Sequence, residues 1–469
     1  MSLLRCKSDV AINASFWTPL AMPNNPLPHA PGSISGCRVV AAQVTFVNQP
    51  LVQPFVLSTG SITVLTEARA TVVVRTPQGT EVAGFGSIYL SDLWAWPDPA
   101  LSHEHRDKVL RQLSEWIAHR LPDLVGSEAA HPLELGLRLH HHVCETTTDP
   151  AFDGVPSLAL AMCLSPFDAA IHDAVGKATE TCAMRFYEGQ PIETSADAWF
   201  ETGGAFEAIH RTLAATPEDR FDAWYLVGKN DDLEKTVRPW YDQQGYHCFK
   251  LKLHGQEIDV DVARTAQMHQ AAVAWGCQPK LSVDTNEACE SADFVLGYLQ
   301  KLQRDHPDAF ASLAYLEQPT ARDIKAHPYD WREVTQLKPV LLDEGLTSLD
   351  RLPLALEQGW SGLALKTCKG HSFALVAAAW AHAHGLTVAL QDLTNPGHSA
   401  VHAALFAAYV PTINGLELNS PQFTPQANQG FLQDWPGLFE VREGSHRLTH
   451  TEPAGLGATP ERSPQGELS

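Results

Sequence analysis

Three acids and three amines in the second half of the chain have the types and spacing to build one reactive site. Asp284, Glu317 and Asp343 stand at the ends of short apolar runs. Lys250, Lys252 and Lys366 stand at the ends of the runs on either side. Carboxylates brought together without a cation repel one another. A hard divalent ion resolves that repulsion, and ligation by oxygen alone selects Mg²⁺, with Mn²⁺ as a substitute. A dication near an ammonium group favours the neutral amine, the form a general base needs.

The runs themselves say what brings these residues together. They cover 249–253, 280–284, 314–317, 339–344, 362–366, 387–392 and 415–417. Each is a buried strand whose last side chain has left the core. Their closing residues are 32 apart (252 to 284), then 33, 26, 23, 26 and 25. That is the length of a strand, a loop, a helix and a second loop. The stretches 262–275, 294–302, 349–356, 373–384 and 399–409 are helix-rich, and Gly276, Gly359 and Gly385 follow three of them as caps. With 224–227 as an earlier strand, eight units close into an α/β fold of the (β/α)8, TIM-like barrel type. Its site lies at the C-terminal ends of the strands, where the charges stand.

The 469 residues leave room for a second domain. Segment 1–35 is rich in Pro and Asn and reads as loop, with 16–31 expected over the site. Segments 39–47, 70–74 and 82–86 read as strands, the last two joined at Pro77-Gln78-Gly79. Residues 104–121 read as a helix stopping before Pro122, and Ser165-Pro166 as the start of another. An α+β capping domain is therefore expected over 1–215, the barrel over 216–419, and a C-terminal return to the cap with a disordered tail over 420–469. Segments 438–441 and 447–449 read as short strands.

Composition narrows the partners. A net charge of −21 argues against nucleic acid and anionic membranes. No signal-like opening and no membrane-length apolar run is evident, and the nine cysteines lack a Cys-x-x-Cys pair. These features fit reduced thiols and a cytoplasmic protein. A homo-oligomer acting on a small molecule is expected.

The order Lys-x-Lys, Asp, Glu, Asp, Lys resembles the enolase superfamily, in its mandelate racemase/muconate-lactonizing and dipeptide-epimerase branch. Leu316-Glu317-Gln318-Pro319 and Leu342-Asp343-Glu344 are similar to that family's fourth- and fifth-strand motifs. The segment from Asp173 to Ala178 resembles its cap-to-barrel helix, and Pro453-Ala454-Gly455-Leu456-Gly457 its C-terminal return. The resemblance covers about 70–460. It implies that Asp284, Glu317 and Asp343 hold Mg²⁺. It makes Lys252 and Lys366 acid/base residues on opposite faces of a carboxylate substrate, with Lys250 supporting the enolate oxygen. The shared step is removal of the proton α to the carboxylate. Racemisation or epimerisation is the first expectation. Syn-dehydration (as in o-succinylbenzoate synthase), cycloisomerisation and a non-catalytic acid-binding homologue are the alternatives.

Two departures bear on specificity. Lys366 is followed by Thr367-Cys368-Lys369, where relatives often carry Gly-Gly. The eighth strand ends Glu417-Leu418-Asn419, not the Asp-x-Asp that holds a dipeptide's ammonium. Asp392, Asn395, Glu417, Asn286 and Glu344 are candidates for substrate contact. His371 and His398 follow strands six and seven and could reach the site. His140, His141 and His142 read as a surface loop rather than a metal cluster, and Lys229-Asn230-Asp231 as pocket lining or a turn.

Overall fold

The computed structural model describes residues 34–57, 60–146, 149–201 and 203–458. The expected loop over 16–31 lies outside them. The chain opens with an antiparallel sheet in the order β1 (Arg38–Leu57), β2 (Gly60–Arg75), β3 (Glu81–Tyr89). The β2–β3 hairpin turns at Gly79, whose φ of +88° suits glycine alone among ordinary residues. Five helices follow: α1 (Asp92–Ala95), α2 (His103–Val125), α3 (Pro132–Cys144), α4 (Ser157–Thr179) and α5 (Gly204–Thr212).

The sheet lies directly on the backbone of α4. A Cβ at Gly84 would stand 2.2 Å from the Ala174 nitrogen, and one at Gly86 2.2 Å from the Pro166 oxygen. Asp173 ties this joint together. Its carboxylate accepts from the backbone of Phe85 on β3 at 2.9 Å, from Leu456 at 3.0 Å and from the Lys177 ammonium at 2.6 Å. Gly455 in turn forms a parallel bridge with Cys182.

Two helix boundaries depart from the proline signals. α2 runs through Pro122 because Leu121 and Val125 continue its buried face. α4 begins at Ser157 and carries Pro166 in its middle. Pro166 cannot donate to the Met162 carbonyl four residues back. The Ser165 hydroxyl donates there instead, at 2.8 Å. α4 is long and apolar enough to cross a membrane, but the apolar stretch is wholly buried in the protein.

The second half begins with β4 (Arg220–Asp222) and continues as a parallel sheet of seven neighbours. These are β5 (Trp224–Val227), β6 (Cys248–Lys252), β7 (Lys280–Asp284), β8 (Leu313–Glu317), β9 (Val340–Leu342), β10 (Gly362–Lys366) and β11 (Thr387–Gln391). The eighth segment is reduced to single bridges, Ala223 with Leu416 and Gln391 with Glu417, which close the curl. The connecting helices are α6 (Arg238–Gln244), α7 (Ile258–Ala274), α8 (Ala292–Asp305), α9 (Pro307–Ser312), α10 (Arg332–Thr335), α11 (Arg351–Glu357), α12 (His371–Ala383) and α13 (Gly397–Tyr409).

Beyond the barrel come α14 (Ser420–Phe423), α15 (Pro436–Phe439) and β12 (Ser445–Arg447). The segment read as a strand over 438–441 is thus partly the end of a short helix, started by Pro436 at its first turn. The next strand sits two residues earlier than expected and pairs with β4.

The alternation of each strand sorts residues between the barrel interior and the helical shell. On β6, Phe249 and Leu251 join the outer core, while Cys248, Lys250 and Lys252 face inward. Trp224, Cys248, Tyr315, Leu341, Ala364 and Ala389 pack together as an apolar floor. The charged residues form the layers above it.

Candidate active site

Register places the reactive residues side by side. Lys252 pairs with Asp284, Asp284 with Glu317, and Lys366 with Gln391. Asp343 follows β9 by one residue. Its position is fixed by Gln318, whose side-chain oxygen accepts from the Asp343 and Gly345 amides at 2.9 and 3.0 Å.

Two ammonium groups bridge the three acids. Lys250 Nζ lies 2.7 Å from Glu317 and 3.3 Å from both Asp284 and Glu417. Lys366 Nζ contacts Asp343 and lies 3.4 Å from Glu317 and 2.6 Å from the Gln391 side-chain oxygen. Lys252 Nζ donates to Asp284 at 2.6 Å. All six side chains are buried.

Burial pushes Glu317 up, and Lys250 and Lys366 only partly oppose it, leaving it at about 7. Burial also raises Asp284, but Lys252 and Lys250 outweigh that and hold it at about 2. For Asp343 burial is outweighed by Lys366 and Lys369, which keep it well below the usual carboxylate range. Burial works against the Lys366 charge too, and Asp343 and Glu317 reverse it, so the amine is held above its ordinary value.

The donor set fits a hard dication. Three oxygen-bearing acids share positive charge that ammonium groups supply between them. Among the described residues, Asp222, His247 and Cys248 form a tighter set, with ligand atoms mutually within 4.8 Å, at the other end of the barrel. The three carboxyls of the mouth are held wider, with lysine side chains between them.

A cleft of about 490 Å³, open solvent included, lies over these groups. Of the residues expected to contact substrate, Asn286, Glu344, Asp392 and Glu417 lie in its lining. Asn395 does not. Its side-chain oxygen accepts from the Tyr89 amide at 2.8 Å and serves the cap instead. Asp392 carries one carboxyl oxygen with no partner among the described residues, and burial pushes it up to about 8. Burial thus favours its protonated form, which donates rather than accepts.

The sequence reading expected a cap over the site but did not single out the cap residues that reach it. Leu65, Ser91 and Trp94 close the cleft from above. Trp94 donates from its indole to Glu344 at 3.0 Å and lies 5.6 Å from Lys366 Nζ across its ring. Arg322, paired with Glu287, donates to the Trp94 carbonyl at 3.1 Å and so fastens α1 to the barrel. No local pattern marks Trp94 for this role. Lys369 was missed too, though a signal existed. One turn of 3₁₀ helix over Thr367–Lys369 brings it onto the face of Lys366. Its ammonium reaches the Asp343 carbonyl at 2.5 Å and carboxyl at 3.1 Å.

The histidines lie elsewhere. His371 is buried under the cap, 2.8 Å from His402 and with its ring 4.4 Å from that of His172. His398 rests against Phe431 and Phe85. His140–His142 are on α3 rather than a loop, with His140 stacked on Phe373 at 4.9 Å. Lys229 is not among the residues lining the cleft.

Residues 232–463 match the family model described as enolase C-terminal domain-like. The chain belongs to the enolase superfamily. Solved enolase-superfamily structures share its fold over nearly the whole length. The N-succinyl Arg/Lys racemase of Bacillus cereus is 19% identical, with a TM-score of 0.62, covering 90% of this chain and 95% of its own. The dipeptide epimerase of Enterococcus faecalis, solved with Mg and a dipeptide, is 17% identical at TM-score 0.60, covering 90% and 99%. Muconate lactonizing enzyme from Pseudomonas fluorescens, complexed with muconolactone, is 17% identical at 0.59, covering 91% and 97%. No curated protein matches the sequence. As a superfamily member the chain has an α+β layer ahead of a curled parallel sheet, as its strand spacing implied.

Proposed function

We propose that the protein is a Mg²⁺-dependent racemase or epimerase of a small-molecule carboxylate. It removes the proton α to the carboxylate and returns one to the other face of the same carbon. The observation that carries this reading is the pair of buried lysines, Lys252 on β6 and Lys366 on β10, with the three acid-bearing strands between them. Superfamily membership supports an enzyme, and racemases, epimerases and a cycloisomerase stand among the structural relatives.

In this reading Asp284, Glu317 and Asp343 hold the ion. When bound, it stabilises the negative charge that develops on the substrate carboxylate. Lys252 exchanges a proton with the α-carbon from one side and Lys366 from the other. Lys250, beside Glu317 and Glu417, adds positive charge where the carboxylate oxygens lie. Neutral Asp392 donates to the substrate, and Trp94 keeps water from the face of Lys366.

The test is incubation with a panel of small chiral carboxylates in deuterated water with Mg²⁺. A racemase or epimerase returns substrate carrying deuterium at the α-carbon and loses optical purity at that centre. A dehydratase or cycloisomerase yields a new product instead, and a protein that only binds acids gives no exchange with any member.

A further inference from the structure

We infer that Asp222, His247 and Cys248 form a second metal site, at the barrel end opposite the cleft, for a thiophilic dication of the Zn²⁺ class. Cys248 begins β6, and its side chain enters the barrel floor beside Trp224. Asp222 ends β4, and His247 precedes Cys248. Their side chains are 45% and 36% exposed, so an ion reaches them from solvent while the sulfur forms the base of the site.

The geometry is close to a coordination set. One ligand atom from each residue lies within 4.8 Å of the other two, and His247 Nε2 is 3.5 Å from Asp222 Oδ1. A tetrahedral Zn²⁺, with bonds of about 2.0–2.3 Å, sets its ligand atoms roughly 3.3–3.8 Å apart. Side-chain rotations of ~1 Å close the set.

The imidazole is held between Asp222 and the Gly245 carbonyl. Its Nδ1 lies 3.4 Å from the Gly245 carbonyl. With Nδ1 donating there, an ion would take the place of the Nε2 proton that faces Asp222, releasing it to solvent, and the Gly245 contact would fix the tautomer as in metal-bound histidines. Gly444, at φ +67°, holds the ring in place. A Cβ there would meet His247 Nδ1 at 2.4 Å, so the turn can lie against the imidazole only as glycine.

The chemistry selects the ion. One thiolate and one carboxylate balance a dication, and the thiol proton leaves to solvent as the metal–sulfur bond forms. Sulfur and imidazole favour Zn²⁺ and exclude Mg²⁺, which prefers the all-oxygen set at the barrel mouth. The Lys280 ammonium is close enough for its charge to act on all three side chains, and it has contacts of its own. It donates to the Ile413 carbonyl at 2.9 Å and lies 5.7 Å over the Trp224 ring. Water completes the coordination. Because Asp222 pairs with Ser445 on β12, a bound ion ties that C-terminal strand to the barrel floor.

The experiment is titration of the full chain with Co²⁺ and then Zn²⁺, with Mg²⁺ present to fill the other site. One equivalent of Co²⁺ should give a thiolate-to-cobalt charge-transfer band that Zn²⁺ displaces and Mg²⁺ does not. Cys248→Ser should abolish the band. His247→Ala, at a partly exposed position, should weaken Co²⁺ binding by at least the ~100-fold that loss of an outer partner alone can reach. Asp284→Asn, at the barrel mouth, should leave the band unchanged. A wild-type chain that shows no band overturns the site. So does a band that survives both Cys248→Ser and His247→Ala, or one that Asp284→Asn removes.

Discussion

Lys366→Met would separate the structural work of this lysine from its chemistry. The ammonium lies between Asp343 and Glu317, and all three side chains are no more than 5% exposed. Removing one partner of a buried ion pair leaves an uncompensated charge and costs about 3–5 kcal/mol. Lys369 still reaches Asp343 at 3.1 Å, so the cost falls near the lower end, about 3 kcal/mol. It depends on pH through Glu317. Its pKa is raised in the folded protein to about 7 from an ordinary 4.5, so folding binds a proton there. Stability linked to this group is therefore lost as pH rises from 4.5 to 7 and is level above that. Without Lys366 the pKa of Glu317 rises further, and the loss continues past pH 7. Urea unfolding at pH 6 and pH 8, with and without Mg²⁺, measures this. The variant should be the less stable, more so at pH 8, and Mg²⁺ should stabilise it more than wild type. A variant as stable as wild type without Mg²⁺, or equal stabilisation of both by Mg²⁺, would refute the reasoning.

Other consequences can be measured separately. Gly455→Ala places a Cβ 2.5 Å from the Asp173 carbonyl at φ +68°, and should cost about 2–4 kcal/mol in urea unfolding. Burial lowers His446 from 6.5 to about 4, so the folded state resists its protonation. Stability should fall as pH drops from 6.5 to 4, by about 3 kcal/mol from this group, and His446→Gln should flatten that part of the profile. Trp94→Phe removes the donor to Glu344, a contact worth about 1–2 kcal/mol. It should lower the α-proton exchange rate roughly five- to thirtyfold, with the fold unchanged by circular dichroism.

The barrel was legible because parallel strands buried on both faces read as continuous apolar runs, and each ended in one charge. The same regularity exposed Asp284, Glu317, Asp343 and the lysines, since the position at a strand's end is also the position at the mouth. What was hidden depended on tertiary contacts. Pro166 was read as a helix start because a side-chain hydroxyl supplying the missing hydrogen bond leaves no mark in a propensity. Asn395 looked like a substrate contact because sequence places it after a strand but does not say that Tyr89 claims its oxygen. Trp94 belongs to a different layer, 250 residues from Glu344, so no local pattern links the two. The metal-like trio at the floor was missed because Asp222 meets Cys248 only through the pairing of neighbouring strands, Trp224 lying opposite Cys248, and sequence spacing does not give that register.

The central claim is that Lys252 and Lys366 each serve one face of a single carbon. Proton-to-deuterium exchange at the α-carbon, followed separately for the two enantiomers of the responsive carboxylate, tests it with Lys252→Ala, Lys366→Ala and the double variant. Loss of a placed acid/base costs about 10²–10⁴ in rate, which sets the contrast. The account predicts that each single variant stops exchange from one enantiomer, spares the other and ends racemisation, and that the double variant exchanges neither. Exchange of both enantiomers at the wild-type rate in the double variant would contradict it.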